Sequence, residues 1–131
     1  MTDERRALGN EMYKKVVPNG LDFEPYDPIT TWTRDVVFGE LWQRDILSMR
    51  ERRLICILCA AAAGSDIALE NHIGGALDSG DFNIEELQEV CLYFGNYYGF
   101  TNSMALNTEI NKRLFSGATN NSNATDAHQG N

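Results

Sequence analysis

Residues 48–64 of this chain read SMRERRLICILCAAAAG, and this stretch decides the fold class. Ser48, with Glu51 three positions later, has the form of a capping box and predicts the start of a helix. Every residue from Leu54 to Ala63 is apolar, so we expect a helix that is buried all round. A buried strand is the alternative, but ten residues with four consecutive alanines favour a helix that ends at Gly64.

Helix signals recur on both sides of this stretch, and no alternating strand pattern or hairpin turn is found in the sequence. The capping residues and apolar spacings predict five further helices: from Asp3 to about Val16, from Pro28 to about Trp42 with a break at Gly39, from Ser65 or Asp66 to Ser79-Gly80, from Asn83 to Gly99, and from Thr101 or Asn102 through Leu114. The predicted fold class is therefore all-α, a compact six-helix domain around a buried apolar central helix.

The 131-residue length fits one domain. We expect this helical domain to occupy residues 1–115. Residues 116–131 are polar and of low complexity, which predicts a disordered tail. A fully apolar helix is hard to cover in so small a domain, so a homo-oligomer is expected, with a well-covered helix in a monomer as the alternative.

Net charge limits the class of partner. A formal charge of −8 argues against nucleic acid and against anionic membranes. No apolar run reaches the roughly 18 residues that span a bilayer, and the charged N-terminus lacks the apolar stretch of a signal peptide. Three cysteines, an odd number, fit reduced thiols. We therefore expect a cytoplasmic protein.

His72 is the first candidate for chemistry, because histidine transfers protons near neutral pH. Gly74 and Gly75 follow it inside a predicted helix, where each glycine costs roughly 1 kcal/mol relative to alanine. Close helix packing or space for a ligand would compensate. The alternative is an ordinary structural histidine. A metal site is not expected, since no second histidine stands at helical spacing.

Cys56 and Cys59 form a C-x-x-C pair, but redox pairs work at a helix N-terminus, where the thiol pKa is lowered. Inside an apolar helix we expect these thiols, and Cys91, to fill the core. Reactive thiols at Cys56 or Cys59 would instead indicate a redox protein.

Charged and aromatic residues in apolar stretches are further candidates. Glu40 and Arg44 flank Trp42, and Arg53 precedes the apolar helix. An arginine there can bind a carboxylate through two hydrogen bonds, or it can simply pair with an acidic neighbour. Tyr97 and Tyr98 can donate hydroxyl hydrogen bonds or merely pack.

These segments together resemble the carboxymuconolactone decarboxylase family, within the wider AhpD-like superfamily. The resemblance covers residues 28–114 and is carried by Phe38-Gly39-Glu40-Leu41-Trp42-Gln43-Arg44, Arg53-Leu54, Ala62-Ala63-Gly64, His72-Ile73-x-Gly75-Ala76-Leu77-x-x-Gly80 and Tyr97-Tyr98-Gly99. Ser65 and Ala68 stand where the peroxidase branch has its redox cysteines, so thiol peroxidase chemistry is not expected.

The resemblance implies a subunit of a homo-oligomer, a trimer or hexamer, with a pocket around His72. The implied reaction, which belongs to aromatic degradation, is cofactor-independent decarboxylation of a γ-carboxy unsaturated lactone such as 4-carboxymuconolactone. The expected roles are His72 as proton donor, Arg44 or Arg53 as carboxylate anchor, Glu40 or Glu70 orienting His72, Tyr97 as donor to the oxyanion and Trp42 as apolar wall.

Two departures leave alternatives open. Ala68 stands where the family has a glutamate, and Gly74 stands where it has an arginine. A paralogue with proton-transfer chemistry on another unsaturated acid, lactone or ring ketone is one alternative. A non-catalytic small-molecule binder is the other.

Overall fold

The computed structural model describes residues 2–18 and 24–128, with side chains described for residues 3–18 and 24–117. Across these ranges the chain forms six α-helices and no strand, which confirms the predicted all-α class. The helices are α1 (Thr2–Val16), α2 (Pro28–Trp32), α3 (Met49–Ala63), α4 (Asp66–Asp78), α5 (Ile84–Tyr97) and α6 (Phe100–His128). A π-helical turn, Thr33–Phe38, continues α2, and a 3-10 turn, Leu41–Gln43, follows.

The predicted helix ends are largely confirmed by side-chain caps. The carboxylate of Asp27 accepts a hydrogen bond from the Thr30 amide at 2.9 Å. Ser48 and Asn83 each form a complete capping box at the start of α3 and α5. Gly64 ends α3 with φ +71°, a left-handed conformation that glycine adopts without steric cost.

The helical segment that begins at Pro28 ends at Gly39, as predicted, and close packing explains why a glycine stands there. A Cβ at Gly39 would overlap the carbonyl oxygen of Asp35 and lie 2.6 Å from the backbone oxygen of Arg5. Helix α1 therefore packs directly on this part of the chain, and the π-helical turn is its principal contact.

The interior has two apolar clusters. The larger lies among α3, α4, α5 and α6 and includes Ile57, Leu69, Leu87, Leu106 and Ile110, all fully buried. The smaller lies at the end of α1 and against the turns that follow α2, and consists of Val16, Val17, Phe38 and Trp42. Residues of α3 belong to both clusters, since Cys56 packs against the smaller one.

Helix α3 is not buried all round, so that expectation is wrong for a single chain. Ile57 is fully buried, whereas Ile55 is 48% exposed and Cys59 and Ala63 are also exposed. The reason is that α3 packs mainly against α4 and α6, which cover only part of its circumference. Cys59 is accordingly not a core residue, in contrast to the prediction.

Helix α6 differs from the prediction at both ends. It begins at Phe100, and Asn102 does not cap it: its side-chain amide donates to the carbonyls of Ala61 and Ala62 at the end of α3, at 2.9 and 3.2 Å. The backbone is helical to His128, beyond the predicted boundary at residue 115. Side chains after Gly117 and residues 129–131 lie outside the described part, so the disordered tail over 116–131 stays a prediction.

None of the helices in the described ranges has the length and hydropathy needed to cross a membrane.

Candidate functional site

His72 lies in the middle of α4, where its side chain is partly buried. Its Nδ1 atom is buried and has no hydrogen-bond partner among the described residues. Burial and, secondarily, the positive charge of Arg53 lower the pKa of His72 below its ordinary value of about 6.5. The resting imidazole is therefore neutral at pH 7. A proton donor, the role predicted for it, would have to gain a proton first.

Close packing explains the two glycines beside His72. A Cβ at Gly75 would overlap the carbonyl oxygen of Val16 and lie 2.7 Å from a guanidinium nitrogen of Arg53. A Cβ at Gly74 would lie 2.5 Å from the guanidinium of Arg113 and 2.6 Å from the ring of Pro18. Of the two explanations considered from the sequence, helix packing is the one observed.

Arg53 is buried and bound to the protein itself. Its Nε donates to Asp81 at 2.8 Å, Nη1 donates to the Val16 carbonyl at 3.1 Å, and Nη2 donates to the Lys15 carbonyl at 2.7 Å. With only 2% of the residue exposed, it offers little to a ligand. The structure thus favours the alternative in which Arg53 pairs with an acidic residue over its use as a carboxylate anchor.

Trp42 and Arg44 come together in a groove of about 370 Å³. The groove lies between the 3-10 turn and α3, and its lining is Leu41, Trp42, Arg44, Ile46, Leu47, Arg52, Ile55 and Cys56. The buried Trp42 indole stacks on Phe38, with ring centroids 6.2 Å apart. The Arg52 guanidinium lies 5.4 Å from the centre of the indole ring. Arg44 is exposed, and its guanidinium makes no hydrogen bond or ion pair to any described residue.

The other predicted site residues lie elsewhere. Glu40 is exposed and pairs with Arg5 at 2.8 Å, beside an open cavity of about 830 Å³. Glu70 is exposed on α4, and because residues two apart on a helix do not face each other, it does not orient the His72 of its own chain. Tyr97 is 89% exposed and lines a groove between α3 and α5.

The single chain therefore brings Trp42 close to Arg44, and Arg53 close enough to His72 to influence its charge. Neither predicted orienting glutamate forms a hydrogen bond or ion pair with the described His72 side chain in one chain. The sequence reasoning did not identify Asp81 or Arg52 as residues near the site. Arg52 could have been found as the neighbour of Arg53, but no sequence signal pairs Asp81 with an arginine 28 residues earlier.

Cys56 and Cys91 are poor nucleophiles at neutral pH. Burial raises the pKa of Cys56, and the neighbouring Cys59 raises it further. Burial also raises the pKa of Cys91, against the opposing effect of Ser103. No group of three or more His, Cys, Asp or Glu side chains within the described residues could hold a metal ion.

Comparisons with family models, with curated proteins and with solved structures give no match for this chain. The function must therefore be argued from the residues and geometry described above.

Proposed function

We propose that this protein is a cofactor-independent decarboxylase of a γ-carboxy unsaturated lactone such as 4-carboxymuconolactone. The observation that carries the proposal is the groove at Trp42, where two arginines border an otherwise apolar lining. Trp42 and Arg44 of the sequence motif both line this groove, and its combination of apolar and positively charged residues suits a small, flat, anionic molecule.

The groove has the two properties that an unsaturated carboxylate needs. Arg44 is free to form two parallel hydrogen bonds with a carboxylate. Arg52 adds a second positive charge, although its own donors bind the carbonyls of Trp42 and Ser48. Apolar side chains such as Ile46 and Leu47 line the groove, and an apolar wall favours loss of a carboxylate as neutral CO2. The anchor role therefore belongs to Arg44 in this proposal, assisted by Arg52.

In the proposed reaction the C–C bond to the carboxylate breaks and CO2 leaves. Its electron pair enters the lactone as a dienolate, and a proton is then added to carbon, so no external oxidant or reductant is required. His72 is the proposed source of that proton. Because its pKa is lowered, an imidazolium form is populated only in acid or after an anionic substrate binds nearby. We expect kcat/KM to fall as pH rises through the pKa of His72, below about 6.5.

A homo-oligomer is part of the proposal. His72 does not line the groove in one chain, and Ile55 and Cys59 leave one side of α3 exposed next to it. A second copy on that side would cover the groove and could bring further groups to it. The predicted roles of Glu40 and Glu70, and the trimer or hexamer, remain proposals of this kind. Tyr97 does not line the groove at Trp42, and its predicted role as donor to the oxyanion is not part of this proposal.

A non-catalytic binder of small carboxylates is the second candidate. The neutral, unpartnered His72 and its separation from the groove lining favour it. Proton-transfer chemistry on another unsaturated acid, lactone or ring ketone remains an alternative because of Ala68 and Gly74.

The test is CO2 release from 4-carboxymuconolactone by the purified chain. We expect release by the wild type, loss of kcat in His72→Ala, and a KM raised about tenfold or more in Arg44→Ala, since a hydrogen bond to a charged group is worth about 1.5–3 kcal/mol. Arg6→Ala, an exposed arginine on α1, is the matched control and should behave as wild type.

Other outcomes of this test would distinguish the alternative functions. Lactone binding that depends on Arg44 without CO2 release would support the binder. Turnover of another unsaturated acid or lactone would support the paralogue. Unchanged turnover in His72→Ala would contradict the role of His72.

A further inference from the structure

Helix α5 carries an uncovered face that continues onto the start of α6. We call it the α5 face and define it by Glu85, Glu89, Leu92, Tyr93, Tyr97 and Phe100. Glu85, Glu89, Tyr93 and Tyr97 recur every four residues and form one stripe along the helix, and Leu92 widens it three residues after Glu89. Over the 12-residue separation from the first to the last of them, this stripe is about 18 Å long.

The C-terminal half of the α5 face is apolar and largely exposed. Tyr97 is 89% exposed, Tyr93 63%, Phe100 63% and Leu92 57%. Isolated exposed apolar residues are common, but a contiguous patch with grooves beside it is typical of a binding surface. Grooves of about 560 and 530 Å³ lie on the two sides of α5, and Glu89 lines both.

The N-terminal half of the α5 face is acidic and not neutralised. Helix α5 contains no lysine, arginine or histidine. Glu86 pairs with Arg50, but neither Glu85 nor Glu89 forms an ion pair with a described residue. The face therefore combines a negative end with an aromatic end, at a separation of a few helical turns.

From this arrangement we propose that the α5 face binds a basic amphipathic helix of another protein. A helix of about three turns matches the length of the stripe. Its apolar residues at helical spacing would lie against the tyrosines and enter the flanking grooves. Its lysines or arginines would lie against Glu85 and Glu89, which form no ion pair with any described residue; Arg50, which lines the same groove as Glu89, is paired with Glu86.

Charge argues against a second copy of the same chain as the occupant. In a two-fold contact both partners present the same surface. Neither copy would then supply a cation to Glu85 or Glu89, and each pair of carboxylates would lose water without compensation. The proposed homo-oligomer uses the exposed side of α3, so the two surfaces are distinct.

The experiment uses the full chain and a labelled synthetic peptide of about 14 residues, a length that spans the stripe. The peptide has leucines along one helical face and lysines at one end, and binding is followed by fluorescence anisotropy. We expect Glu89→Lys and Tyr97→Ser each to weaken binding about tenfold or more. Glu24→Lys, an exposed glutamate with the same charge change, should alter it less than about twofold. A peptide with serines in place of the leucines should bind weakly.

Three results would overturn the proposal. Equal weakening by Glu89→Lys and Glu24→Lys would show only attraction to a chain of net charge −8. Absence of peptide binding would exclude this class of partner. Self-association of the chain that Tyr97→Ser abolishes would show that a second copy occupies the face. Both substitutions are at exposed positions, and circular dichroism would verify that each variant is folded.

Discussion

At the scale of single residues, Arg53 connects more of the fold than any apolar side chain described above. Its three bonded nitrogens connect α3 to the last two residues of α1 and to Asp81 in the turn before α5. The same guanidinium lowers the pKa of His72. A change at Arg53 therefore alters both stability and the charge of the candidate catalytic residue.

We predict that Arg53→Met lowers the free energy of unfolding by about 3–5 kcal/mol, because it leaves buried acceptors and a carboxylate without their donor. Arg52→Met is the matched control. It removes a less buried guanidinium over Trp42 and should cost about 1–2 kcal/mol. Urea unfolding measures both. Similar losses in the two variants would contradict the structural role assigned to Arg53.

The lowered pKa of His72 predicts a loss of stability in acid. The folded chain binds this proton less readily than the unfolded chain, in which the pKa is about 6.5. The free energy of unfolding contributed by this residue is fully present above that value and falls as pH drops below it. We expect wild type to lose more stability than His72→Gln between about pH 7.5 and 5. Urea unfolding at both pH values tests this, and parallel losses would show that His72 titrates normally.

At the scale of elements, two glycines are required for different physical reasons. Gly75 lets α4 approach the end of α1, where a Cβ would overlap the Val16 carbonyl. Gly64 has open space around it but a φ of +71°. The first constraint is imposed by packing between helices and the second by the backbone of the α3 terminus.

We therefore predict that Gly75→Ala costs more stability than Gly64→Ala. Overpacking costs about 1–3 kcal/mol, and here the obstructing atoms belong to the backbone and to the buried Arg53. A left-handed alanine costs about 1–2 kcal/mol. Thermal unfolding of the two variants decides the order. A greater loss at Gly64 would mean that α1 and α4 can separate easily.

At the scale of the whole molecule, the chain leaves apolar side chains uncovered on two surfaces, the α5 face and the outer side of α3. In the structure of one chain, Ile55 is 48% exposed and lies beside the groove at Trp42. Surfaces of this kind in a small domain commonly mark contacts with other chains.

We predict that the wild type is a homo-oligomer and that Ile55→Glu converts it to a smaller species without unfolding it. The substitution places a charge in the expected interface and leaves the core formed by Ile57 and Ala61 unchanged. Sedimentation velocity gives the size, and circular dichroism verifies the helix content. A monomeric wild type would refute the predicted oligomer.

Much of the fold follows from local signals in the sequence. The capping residues Asp27, Ser48 and Asn83, and the glycine at position 64, set helix ends through interactions within a few residues. Such interactions depend on spacing along the chain, so a sequence contains them directly. The missed boundaries have tertiary causes: Asn102 binds carbonyls of α3 about 40 residues away instead of capping α6.

The candidate site follows from the sequence only in part. Trp42 and Arg44 line the same groove because both lie within one short segment, and such a closeness can be read from the sequence. The binding of Arg53 by Asp81 and two carbonyls, the neutral state of His72 and the exposed side of α3 depend on how separate helices pack. Sequence determined the helices and most of their ends because those depend on interactions within a few residues. Tertiary structure decided which polar side chains have hydrogen-bond or ion-pair partners, because those partners are distant along the chain.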